Sequence, residues 1–291
     1  MALTYSLTYE TLFEDVLQDR LDHPQTWKEM CDVMMTDARA VSTSYLATDV
    51  AVTTVSRGTG LVMVGLTETA DTLTISTGRD VGIFVDWADL AQSPWTKPAE
   101  IFDRIGAVLN EFIESNVLGQ HSGWTDVGTS AGVITSGVAT QITVSASNIH
   151  DIIRGVKRII RVANGNFLMN QNGVGFVWRP ADFEFLEAFV QANGFVTADQ
   201  ALKEGTVEGI KYLGADHYFS NDHTANHLFA GVKKVQRLGI LRGTYGRAHT
   251  IDFPAADSNT FFSGQAFYSR VDIGHLTPFA HSSLVYDINV V

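Results

Sequence analysis

A single cysteine, Cys31, stands in the 291 residues, so no disulfide can close within the chain and no thiolate cage can hold a metal. A lone thiol suits a reducing compartment and reads as a buried structural group, because a reactive thiol needs a polarising environment. Positive charge is scarce too. Lysine and arginine number 20 against 32 aspartates and glutamates, a net charge of −12, which argues against a molecule that grips phosphates over its whole surface. Long apolar runs are missing: no stretch nears the ~18 residues a helix needs to cross a bilayer. The opening MALTYSLTYETLFEDV has no basic segment ahead of an apolar one, so it does not read as a secretory leader and cytoplasm is expected. No internal repeat or low-complexity linker divides the chain. What it does have is 45% hydrophobic residues, enough to fill the core of one large domain or two ordinary ones.

Residues 8–21 space Leu12, Phe13, Val16, Leu17 and Leu21 as one face of a helix, which Pro24 interrupts. A second short helix is expected from Gln25 to about Arg39, with Trp27, Met30, Cys31, Met34 and Ala38 on one side. From Val50 the period changes to two. The stretch RGTGLVMVGLTETADTLTISTGRD, residues 57–80, reads as a hairpin. Leu73, Ile75 and Thr77 share a face that Val81, Ile83, Val85 and Trp87 continue after Gly78. So much of it is glycine and threonine that it can bury little of itself, and connections of such length usually have a function.

Next comes SPWTKPAEIFDRIGAVLNEFIESNVLGQ. Thr96 suits a cap, Pro98 the first turn, Glu100 and Asp103 the positive helix end, and Gly119 the stop. Ile101, Ile105, Val108, Leu109, Phe112 and Ile113 form a narrow apolar stripe on a rod of about 30 Å. Residues 120–144 read as loop with short strands. A further helix is expected from Ser147 to about Ala163, burying Ile149, Ile152, Ile153, Val156, Ile159 and Ile160 and holding Arg154, Lys157, Arg158 and Arg161 mostly off that face. GVGFVWRP reads as a buried strand ended by Pro180, ADFEFLEAFVQANG as a helix closed by Asn193 and Gly194, and KYLGADHYFS as a strand. HLFAGVKKVQRLG reads as a helix or a strand-helix junction, and residues 260–290 as two or three strands. Without a regular βαβ alternation the fold class is α+β.

Three segments carry a hint of chemistry. GTSAG, Gly128–Gly132, has the spacing of a hydrolase nucleophile elbow, but a strand-like stretch follows Ser130 where that motif needs a helix. DHYFSNDHTANHL gathers His217, His223 and His227. A helix over 223–227 would put two imidazoles on one face, as metal sites do, whereas Asn221 or Asp222 as a cap would leave the histidines on a polar surface. GVGFVW has two glycines of a dinucleotide fingerprint, with Trp178 in place of the third and no helix beginning there. None of these assembles an active site, and no cofactor or metal is expected.

The order of elements is then the strongest signal: an arm, a long hairpin, DTLTISTGRDVGIFVDWAD, a proline-started long helix, a compact mixed region and terminal strands. It resembles the major capsid protein of tailed bacteriophages, whose fold is shared by encapsulin shells and the herpesvirus capsid floor. The resemblance implies an N-arm over residues 1–50, an extended E-loop over 51–86, a peripheral domain from 87–145 and 262–291 with its spine helix at 98–118, and an axial domain over 146–261. It implies a structural, non-enzymatic protein that self-assembles through hexamers and pentamers into an icosahedral shell around double-stranded DNA. Such a protein is made in the host cytoplasm and kept in the virion. In such shells the E-loop lies across a neighbouring subunit, so Leu61, Met63, Leu73 and Ile75 are expected at intersubunit contacts, and Ile101, Ile105, Val108, Leu109 and Phe112 in the spine-helix core. An acidic lining would leave packaged DNA mobile, without sequence-specific contacts. The lack of a long helical extension ahead of the arm implies a separate scaffolding protein, beside a portal. Two other readings stand next to it: an encapsulin-type compartment, and a metal-dependent hydrolase using His217, His223 and His227.

Overall fold

A computed structural model of the chain describes residues 25–46, 68–86, 98–192, 210–244, 248–253 and 264–291. The expected helix at 8–21, Thr96, Trp87, Leu61 and Met63 lie outside them.

Helices α1 (Trp27–Met30), α2 (Pro98–Leu118), α3 (Ile149–Val162), α4 (Asn166–Asn172) and α5 (Pro180–Ala192) accompany three sheets. In α2, Pro98 occupies the first turn, where its fixed φ suits the helix and its missing N–H removes no bond. Ile101, Ile105, Leu109, Ile113 and Val117 are buried at four-residue steps, the stripe of a helix with one face on a sheet. Val108 and Phe112 are half-buried on its flank, and the Arg79 guanidinium lies 5.5 Å from the centre of the Phe112 ring.

That stripe rests on a five-stranded sheet made of β1 (Cys31–Thr36), β4 (Thr77–Asp86), β11 (Gln236–Leu241), β12 (Ala248–Phe253) and the long β13 (Gly264–Leu276). β1 runs parallel to β11; β11 and β12 pair antiparallel along one edge of β13, and β4 along the other. Phe267 of β13 meets Phe102 of α2 edge-on at 5.6 Å. A seven-stranded sheet takes the order β6 (Val133–Ser136), β5 (Thr125–Ser130), β14 (Val285–Asn289), β10 (His227–Val232), β7 (Val174–Trp178), β9 (Ala215–Phe219) and β8 (Ile210–Tyr212). Its middle strands β7 and β14 are buried at every position, as strands covered on both faces are. α3 and α5 pack on it, and all six isoleucines and valines expected on the buried face of α3 are buried. The third sheet is, among the described residues, a ribbon of β2 (Ala40–Leu46) and β3 (Glu68–Thr74).

Several expectations change. No helix runs from 25 to 39: α1 is one turn, and β1 follows because Cys31–Thr36 finds a parallel partner some 200 residues away in β11. Within the expected hairpin 57–80, the described residues do not pair with one another. Residues 68–74 pair with 40–46, which the resemblance placed in the N-arm, and 77–86 leave the ribbon to pair with β13. HLFAGVKKVQRLG is two strands, β10 and β11, separated by a turn in which Lys234 takes a left-handed φ of 57°. Sheet membership also cuts across the expected domain boundaries: β5 and β14 stand beside β10 and β7, while β11 and β12 stand beside β13. Long-range strand pairing decides this, and no local pattern encodes it.

Candidate functional site

The ribbon is the element that cannot support itself. Along β3 only Leu73 is buried, and two strands with no third beside them among the described residues have too little apolar area for independent stability. Its base is fastened to the same chain. Gly239 of β11 and Gly274 of β13 are opposite each other in the five-stranded sheet. A Cβ on Gly239 would come 2.6 Å from the Leu73 side chain, and one on Gly274 would come 2.2 Å from the Thr74 carbonyl oxygen. Leu73 and Ile75 therefore lie over a floor of two missing side chains, 1% and 5% exposed. This corrects their expected place between subunits: the chain itself covers them. Arg237 donates to the Thr43 hydroxyl at 2.8 Å, the Ile75 N–H to the Arg39 carbonyl at 2.7 Å, and the Phe279 N–H to an Asp71 carboxylate oxygen at 2.9 Å.

A second clamp joins α1 to α2. Glu114 sits on the apolar side of α2 at 1% exposure, where one carboxylate oxygen accepts from the Thr26 hydroxyl and the other from the Trp27 N–H at 3.0 Å. Burial pushes its pKa up to about 7, against the pull of these hydrogen bonds and one from Ser220, with Asp222 adding to the rise. The sequence pattern did not single out Glu114. Its position one residue after Ile113 and three before Val117 was the available signal.

The catalytic hints do not assemble. Ser130 ends β5, and Ala131 and Gly132, both at positive φ, turn the chain straight into β6. That is a two-residue hairpin of the I′ kind, without the helix a nucleophile elbow requires. Residues 221–226 form bends and turns, so His223 and His227 share no helix face. His217 is fully buried: its Nδ1 accepts from the Trp178 indole N–H at 3.1 Å, and its Nε2 donates to the Tyr212 carbonyl at 3.2 Å. Burial holds its pKa down at about 4, and does the same to His223. His227 instead bonds Asp287 at 2.6 Å. With separate partners, the three histidines do not form the expected hydrolase site. Cys31 is buried, its thiol 3.8 Å from the Gln236 amide oxygen and its pKa pushed far up by burial, as a structural thiol requires.

No protein-family model and no curated protein matches the sequence. Solved structures do. The capsid of a native GTA particle aligns over 100% of both chains at a TM-score of 0.64 and 10% identity. The capsid structure of cyanophage P-SCSP1u covers 98% of this chain and 93% of its own at 0.60 and 13%. The chain has the tailed-phage capsid fold. A virus-like particle from Pyrococcus furiosus covers 90% of each chain at a lower TM-score of 0.51 and 12% identity. α2 covers residues 98–118, and Ile101, Ile105 and Leu109 on it are buried, whereas Val108 and Phe112 are half-buried.

Proposed function

We propose that the chain is a structural subunit of a tailed-phage-type capsid, assembling through hexamers and pentamers into a closed shell around double-stranded DNA. Its site of action is the virion wall, after assembly in the host cytoplasm with a separate scaffolding protein and a portal. The observation that carries this is the full-length likeness to a capsid chain, joined to a ribbon whose described residues form no core of their own. A ribbon rooted at Leu73, with the other described residues of β3 exposed or half-buried, needs cover, and a neighbouring copy supplies it; Leu61 and Met63 are the apolar residues proposed to meet that neighbour. Val162 at 78%, Phe167 at 76% and Phe279 at 71% exposure are further apolar groups that association would cover.

The encapsulin-type compartment is the second reading, supported by the likeness to the Pyrococcus particle. Sedimentation velocity on the chain co-expressed with its neighbouring genes tests the shell. Fast, narrow boundaries of closed particles are expected. A chain that stays monomeric or dimeric at every concentration and salt overturns the proposal. Nuclease-protected DNA in the particles favours the virion, and a packaged enzyme favours the compartment.

A further inference from the structure

His121, His227 and Asp287 come from three separate elements of the chain. His121 lies in the 3₁₀ turn Gly119–Gly123 that follows α2, His227 opens β10, and Asp287 sits mid-way along β14. One donor atom from each lies within 4.8 Å of the other two. The imidazoles are stacked, with ring centroids 3.7 Å apart and planes 21° from parallel. Both turn Nδ1 toward the same carboxylate oxygen, Asp287 Oδ2, at 2.6 Å from His227 and 3.7 Å from His121.

The carboxylate needs more positive charge than it has. Asp287 is 1% exposed, and its other oxygen, Oδ1, has no hydrogen-bond partner. Across the β14–β5 pair it stands opposite a second carboxylate, Asp126. Among the described residues its ion-pair partners are these two imidazoles. A buried, half-satisfied carboxylate is costly, and a bound cation is one of the few ways a protein offsets it.

We propose that His121, His227 and Asp287 bind one divalent transition-metal ion, with Zn²⁺ the ion the donors suit best. Two imidazole nitrogens and one carboxylate oxygen are a donor set for Zn²⁺, Co²⁺ or Ni²⁺, whereas Ca²⁺ and Mg²⁺ take oxygen. Bond lengths of about 2.0–2.2 Å to such an ion set donor separations of roughly 3.3 Å. The His121 nitrogen is close to that, and the His227 ring needs a small rotation away from Oδ2. The two imidazole side chains are 22% and 26% exposed, so the ion has a way in and water can fill a fourth position. The role is structural: the ion would tie the end of the spine helix to the two adjacent strands β10 and β14. Only His227 is shared with the histidine cluster read from the sequence. The site also stands apart from the shell proposal, since it is complete within one chain.

The test uses the full chain, stripped with a chelator and titrated first with Co²⁺ and then with Zn²⁺. One Co²⁺ per chain is expected, with intense visible absorption from a four-coordinate site that Zn²⁺ then bleaches, and a higher melting temperature with Zn²⁺ than without. His121→Ala should abolish the absorption and the thermal shift. His249→Ala, at an exposed position on β12, should change neither. If His121→Ala does not fold, His121→Asn serves in its place. No saturable binding at one equivalent, or binding unchanged in the His121 variant, overturns the site.

Discussion

Leu73 rests directly on Gly239. The contact is so close that a methyl group on the glycine would come 2.6 Å from a Leu73 methyl carbon, and Gly274, opposite Gly239, gives the same close passage to the backbone of Thr74. The glycines therefore set how the ribbon leaves the sheet.

Gly274→Ala should loosen that root. Its Cβ would meet backbone, which cannot swing aside, so a loss of about 1–3 kcal/mol is expected, in the range of overpacked cores. Gly106→Ala is the contrast: on α2, with nothing within 4 Å of the added carbon, it should stabilise by roughly 0.5–1 kcal/mol. Chemical denaturation of both variants checks the pair, and equal effects would contradict the packing described.

Ile105→Ala should cost about 2–5 kcal/mol, because the residue is 1% exposed within the buried stripe of α2. Val108→Ala, half-buried on the flank, should cost clearly less. Denaturant midpoints for the two variants measure the difference.

The long helices α2, α3 and α5 were the legible part of the sequence. In α3 the apolar period of Ile149 to Ile160 is complete within fourteen residues, and in α2 Pro98 marks the start. Strands were legible as strands where they alternate, as at Ile83 and Val85, but not in their pairing. Cys31–Thr36 was read as helix because a short apolar run suits either state, and its β11 partner lies far along the chain. The polar centres were hidden for the same reason. Nothing near Asp287 in sequence announces His121, and nothing near Glu114 announces Thr26.

Glu114 makes stability depend on pH. Its folded pKa of about 7 lies above the ordinary 4.5, so the folded state holds a proton the unfolded state has released. Stability therefore falls as pH rises from 4.5 to 7 on this account, by roughly 3 kcal/mol. Glu114→Gln keeps the shape while removing the titration: its amide oxygen can still accept from the Trp27 N–H, and its NH2 donates to the Thr26 hydroxyl oxygen in place of accepting from it. Its melting temperature should gain on the wild type as pH rises, and parallel pH profiles would contradict the clamp.

Histidines act in the opposite direction. His217, His223 and His275 are each held near 4 by burial, against 6.5 when exposed. Unfolding between these values takes up protons, so acid destabilises the chain; the three histidines contribute up to three protons per molecule to the slope, and the proton Glu114 releases over the same range brings the net to about two. Denaturation free energies measured from neutral pH downward give that slope, and a flat profile would contradict the buried neutral state.

Negative-stain electron microscopy of the purified chain, alone and co-expressed with its neighbouring genes, tests the central claim most directly. Closed particles or capsomer rings are the predicted result. A field of single subunits under every protein and salt concentration would contradict a shell protein, whatever the fold.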